Sequence, residues 1–273
     1  MFLTGCGDVE KADPDKTRIV SLAPNITEIV CALGAQDMLV GRTTVCDFPP
    51  EIKDAVPPVG GFGNPSLETL VSLSPSIVLD TDLEDEAIGQ KIDSMKIRRE
   101  RIHCNSLSDI PSAIERIGKI IGKTEQAGKT ANEFRTRVAE LEKESLTKTD
   151  CPSVYIEISP DPLITVGRGS FISDLVRLAG GKNIGDEVER DYFQVSPEWI
   201  VVRDPDIIVC LYMSESGTAE KNIPRRPGWK NMSAVKNMRI YDGLDEDIIT
   251  RPGPRLLLGI EELKKCISAG RNE

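Results

Sequence analysis

One histidine, His103, and seven cysteines, at 6, 31, 46, 104, 151, 210 and 266, bound the chemistry open to this 273-residue chain. A zinc centre needs clustered imidazoles or paired cysteines, and the sequence has no CxxC to start one. A Ser-His-Asp triad would have to be built on His103 alone. That histidine lies in the alternating stretch Arg101-Ile102-His103-Cys104, which reads as strand and gives it a structural role. There is no GxSxG elbow, no HExxH helix and no GxxxxGK[ST] phosphate loop, and no GxGxxG follows the first strand. Gly60-Gly61-Phe62-Gly63 is glycine-rich, but it precedes a capped helix after a proline, so it reads as a loop approaching a ligand or as a turn. Carboxylates are plentiful, so an acid/base pair stays open. The inventory favours binding over catalysis, with no cofactor and no metal held by the chain.

The net charge of −10 repels a phosphate backbone, which argues against a nucleic-acid partner. Apolar residues at 39 % and charged residues at 29 % suit a soluble protein with real cores. Near the N-terminus, Leu3-Thr4-Gly5-Cys6 resembles a bacterial lipobox, which predicts lipidation at Cys6. Residues 8–16 are polar without apolar periodicity, as a tether clearing the lipid headgroups would be. The expected location is extracytoplasmic, with the membrane reached through that anchor only. The other six cysteines sit mostly in apolar surroundings and read as buried thiols rather than a disulfide framework.

These residues must be placed by a repeating α/β pattern. Arg18–Ala23 reads as a buried strand stopped by Pro24, followed by a helix with Asn25 as N-cap, Glu28 three residues later and Gly34 at its C-terminal end. Strands are expected near Met38–Arg42 and Ser76–Asp80, with a helix capped by Ser66 between them. The segment Ser66–Leu79 then recurs as Ser196–Val209, superposing Glu68 on Glu198. Ile26–Val30 resembles Ile172–Val176, and Gly34 matches Gly180 in the same order. Two ordered matches predict two similar lobes. Between them, residues 124–145 lack proline and carry the stripe Ala127, Ala131, Phe134, Val138, Leu141, so a single helix of roughly 33 Å is expected there. Either it bridges the lobes or it lies on the surface of one. The chain closes on a helix over Pro254–Ser268 with the stripe Leu257, Leu258, Glu261, Leu263.

Arg18–Glu28, Cys46-Asp47-Phe48-Pro49-Pro50-Glu51, Val59–Phe62, Ala179–Ile184, Gln194–Glu198 and Arg251–Arg255, taken in order, resemble the cobalamin and iron–siderophore solute-binding proteins of ABC importers. The resemblance implies an α/β fold of two Rossmann-like lobes with central sheets, joined by a single long helix. The corresponding divisions are an anchor and tether over 1–17, lobes over 18–123 and 148–273, and the helix over 124–147. It further implies that Glu68 and Glu198 dock onto arginines of a permease dimer, and that a monomeric binding protein carries the ligand. By motif position, Phe48, Phe62 and Tyr192 would be aromatic ligand contacts, and Asp247 and Arg251 polar ones. A corrin, a broad apolar plate with amide edges, suits such a wall. The sequence departs from cobalamin binders after Val78-Leu79, where Asp80-Thr81-Asp82 stands in place of a tryptophan. The Asp47-Phe48-Pro49-Pro50 and Arg251 matches make cobalamin the favoured ligand, and the departure keeps a ferric siderophore or haem as the alternative. A ligand sensor of the same fold stays open as well.

Overall fold

Ile19-Val20-Ser21 is buried at every position, as a strand covered on both faces of a parallel sheet must be. In the computed structural model, which describes residues 17–81, 86–212 and 218–269, the chain divides into two compact units after Ile102. The first unit holds a parallel sheet ordered Leu39–Arg42, Ile19–Ser21, Ile77–Asp80, Arg99–Arg101. The second holds a parallel sheet ordered Lys182–Asn183, Ser153–Glu157, Ile207–Cys210, Ile240–Tyr241. In both sheets the chain enters the second position, steps outward, then crosses to the other side. The repeat seen in sequence is thus a repeat of topology. The second unit adds an antiparallel sheet of Ser159–Pro160, Leu163–Val166 and Tyr192–Gln194.

The matched glycines act alike. Gly34 has φ +67° just past the helix Pro24–Ala32, and Gly180 has φ +91° at the end of Phe171–Ala179. Only a residue without a Cβ adopts that conformation freely. The cap expected at Asn25 is corrected. Pro24 occupies the first turn, where its missing N–H is no loss, and Ala23 stands at the cap without a side-chain bond. Asn25 and Glu28 are buried instead.

The long helix runs from Thr124 to Leu146 and buries Ala127, Ala131, Phe134 and Leu141 of the expected stripe, with Val138 half-buried. It packs on the helices Asp109–Ile120, Phe171–Ala179 and Leu256–Ser268. Gly118 permits the closest of these approaches, since a Cβ there would lie 2.2 Å from that of Ala127. Arg137–Glu261 at 2.5 Å and Lys264–Glu144 at 2.6 Å tie the long helix to the last one. The last helix has a different phase from the one expected. Leu256, Gly259, Ile260, Leu263 and Ile267 are buried, while Leu258 is exposed. Three consecutive leucines leave the phase open, and packing chooses the face. His103 is also corrected: its strand ends at Arg101, and the exposed imidazole lies 3.7 Å from Asp109. Among the described residues, no helix is long and apolar enough to cross a membrane.

Candidate functional site

The first unit presents two aromatic rings on adjoining loops. Gly60–Gly61 pairs with Asn64–Pro65, leaving Phe62 and Gly63 as a two-residue turn. A Cβ on Gly60 would lie 2.7 Å from the carbonyl oxygen of Asn64, and Gly63 has φ +74°, so both glycines are required by the hairpin. Phe62 is left 53 % exposed at its tip. Phe48 projects from the preceding loop and is 37 % exposed. The loops are joined where the Thr44 N–H donates to the Gly60 carbonyl at 2.8 Å.

In the second unit, Tyr192 opens the strand Tyr192–Gln194, pairs with Val166 and is 45 % exposed. Its neighbour Phe193 instead packs edge-on against Trp199, whose face is covered by the Arg203 guanidinium. Among the described residues, the exposed aromatic side chains are Phe48, Phe62 and Tyr192, the three that motif position selects. Leaving such rings half in water forgoes about 2 kcal/mol of burial each, so folding alone does not favour it.

Asp247 and Arg251 are brought together as an ion pair of 2.6 Å, one helical turn apart. Asp247 starts the short helix Asp247–Thr250. Burial, reinforced by the charges of Asp247 and Asp245, raises the carboxyl pKa of the intervening Glu246. Asp80, in the stretch where cobalamin binders can place a tryptophan, is fully buried against Arg99 at 2.7 Å, and Arg99 also grips Asp93 at 2.9 Å. Arg99 thus links Asp80 in the sheet to Asp93 on the helix Glu86–Ser94.

Glu68 and Glu198 occupy equivalent places. Each is exposed at the second position of a short helix, Leu67–Ser72 or Pro197–Arg203. In each, a serine caps the helix, with Ser66 accepting from Thr69 N and Ser196 from Trp199 N, both at 3.2 Å. The backbone N–H of Glu198, with the Ser196 hydroxyl, holds its carboxyl below the usual range. A carboxylate there also suits the helix dipole. Cys6 lies outside the described residues. Of the other cysteines, Cys46, Cys104 and Cys210 are buried, Cys31 and Cys266 half-buried, and Cys151 exposed, all as free thiols.

The sequence reading missed two buried charged groups. Arg42 lies under the Phe48 loop, and Glu157 with Arg226 lies at the end of the second unit's first strand. No local motif marks either, because their partners are remote in sequence or are backbone atoms.

The profile of the periplasmic binding protein family matches residues 19–246. This chain belongs to that family. It is a substrate-binding protein of the ABC-importer type and not an enzyme. It is 34 % identical over 264 residues to the uncharacterized ABC transporter substrate-binding lipoprotein YvrC of Bacillus subtilis, covering 94 % of this chain and 81 % of that one. It is 30 % identical over 258 residues to the vitamin B12-binding protein of Vibrio campbellii, covering 94 % and 91 %. Among solved structures, it matches a possible iron-binding, periplasmic solute-binding protein of Staphylococcus epidermidis at a TM-score of 0.81 and 28 % identity, covering 92 % and 98 %. The Staphylococcus epidermidis structure shares this α/β fold.

Proposed function

We propose that this protein captures a corrinoid outside the cytoplasm and delivers it to the permease dimer of an ABC importer, held at the membrane by lipid on Cys6. The observation that carries the corrinoid reading is the set of exposed rings at Phe48, Phe62 and Tyr192. The vitamin B12-binding relative supports it. In this reading Phe48 and Phe62 of the first unit and Tyr192 of the second each offer a ring face to the corrin, and the Asp247–Arg251 pair offers polar contacts to its amides. The long helix Thr124–Leu146 belongs to the second unit, and Glu68 and Glu198 serve as the docking acids.

Calorimetry with cyanocobalamin tests the ligand. Binding at micromolar concentration or tighter is expected. Phe48→Ala and Phe62→Ala should each weaken it on the order of tenfold or more, as removal of aromatic anchors does, with no loss of folding stability. Absence of heat with cyanocobalamin, together with binding of a ferric siderophore, would reject the corrinoid assignment.

The Tyr192 phenol favours haem or another ferric chelate as a second reading, since tyrosine is a known iron ligand. The iron-binding relative belongs to the same reading. Tyr192→Phe separates the two. Cyanocobalamin affinity should survive the change, because the ring remains. Haem binding through the phenolate would lose its charge-transfer absorption and most of its affinity.

A further inference from the structure

The two exposed rings of the first unit hang from one buried arginine. Arg42 ends the strand Leu39–Arg42 and is 6 % exposed. Its guanidinium is surrounded by carbonyl oxygens. Nε donates to Val56 O at 2.9 Å and to Ile52 O at 3.2 Å. Nη1 donates to Thr43 O at 3.0 Å, and Nη2 to Lys53 O at 2.8 Å. Three of these acceptors come from the one-turn helix Ile52–Ala55 and its end. Lys53 O and Val56 O are carbonyls at the end of such a helix, which it leaves without a backbone partner, while Ile52 O also accepts from Val56 N at 3.1 Å. The fourth begins the loop, so the fork closes residues 43–56 into a ring, with Phe48 on its outer side.

The main chain of Arg42 extends the clamp. Its N–H donates to Pro57 O at 3.1 Å, and its carbonyl accepts from Val59 N at 2.7 Å. Two residues on, Thr44 N reaches Gly60 O, the start of the Phe62 hairpin. A buried cation matched only by neutral acceptors is expensive, and an apolar residue of the same volume would pack this strand end at lower cost. What a planar guanidinium adds is several donors in a rigid fork, which neither lysine nor an apolar side chain reproduces.

We infer that Arg42 is a positioning residue for ligand binding: it presets the Phe48 loop through its guanidinium and locks that loop to the Phe62 hairpin through its backbone. This rests on Phe48 and Phe62 touching the ligand. A ligand then meets rings already ordered, so less freedom is lost on binding.

Arg42→Lys keeps the charge and removes the fork. It should raise the Kd for cyanocobalamin about tenfold, the equivalent of one charge-assisted hydrogen bond. In a Phe48→Ala, Phe62→Ala background the same change should have little further effect, because the groups it positions are gone. An equal loss in both backgrounds makes Arg42 a merely structural residue and overturns the inference. So does unchanged affinity on replacing Arg42 alone. If the double alanine variant binds cyanocobalamin as well as the parent, the ligand reading itself falls. Should Arg42→Lys fail to fold, hydrogen exchange on the parent protein decides. Before cyanocobalamin is added, the amides of Thr44, Ile52 and Val56 should be as protected as those of Val20 and Val78 in the sheet. Rapid exchange there, slowed only by cyanocobalamin, overturns the preset loop.

Discussion

Replacing Glu157 by leucine should lower the unfolding free energy by about 3–5 kcal/mol, the usual penalty for stranding one member of a buried ion pair. Glu157 ends the strand Ser153–Glu157 and is fully buried. Both its oxygens are taken by one residue: Arg226 Nη1 donates to Oε2 at 2.5 Å and Nη2 to Oε1 at 2.8 Å. The guanidinium also lies 4.6 Å over the ring of the buried Trp229. A leucine would leave a guanidinium only 22 % exposed without its carboxylate, facing that ring. The pair holds Ile223–Arg225 and Trp229–Asn231, two short 3-10 turns, against the C-terminal end of an interior strand. Urea unfolding of the single variant, of Arg226→Met and of the double variant measures the coupling. The double variant should recover most of the loss, because a well-packed apolar pair needs no compensation. A loss below about 1 kcal/mol for Glu157→Leu would place this pair with ordinary surface bridges.

Charge reversal at both proposed docking acids should have the largest functional effect. Glu68→Arg with Glu198→Arg is expected to suppress importer-dependent uptake on the order of a hundredfold, since like charges across an interface cost several kcal/mol. Affinity for cyanocobalamin should stay within about twofold, because both side chains are exposed and neither is among the candidate ligand residues. The single reversals should fall between, as each removes one of two anchors. Uptake into vesicles carrying the cognate permease and ATPase, measured beside calorimetry on the free protein, separates the effects. A parallel fall in ligand affinity would assign the glutamates to the fold or the pocket. The matching serine caps explain why both acids stand at the same helical position. Each helix needs an oxygen for its unpaired N–H groups, and serine provides it while leaving the carboxylate to face outward.

Much of this was open to inspection before any coordinates. The stripe from Ala127 to Leu141 predicted the long helix because apolar residues recurring at helical spacing have few other ways to be buried. The match of Gly34 with Gly180 predicted two similar units, because a left-handed helix end strongly favours glycine. The exposure of Phe48 and Phe62 follows the same pattern, since glycine- and proline-rich loops cannot bury every ring they carry.

Other features were not legible. Asn25 looked like a cap, but Pro24 had the stronger claim on the first turn. The run Leu256-Leu257-Leu258 could have faced its partners at several angles, and the long helix and Phe171–Ala179 selected one. Local patterning in the sequence thus determined the elements, the repeat and the family, because backbone preferences and hydrophobic period act over a few residues. The tertiary structure alone decided how the buried charges are neutralised. Arg42 finds carbonyls up to 14 residues away, and Glu157 finds Arg226 across 69. A buried charge is tolerated only where folding brings it a partner, and that partner is chosen by proximity in space.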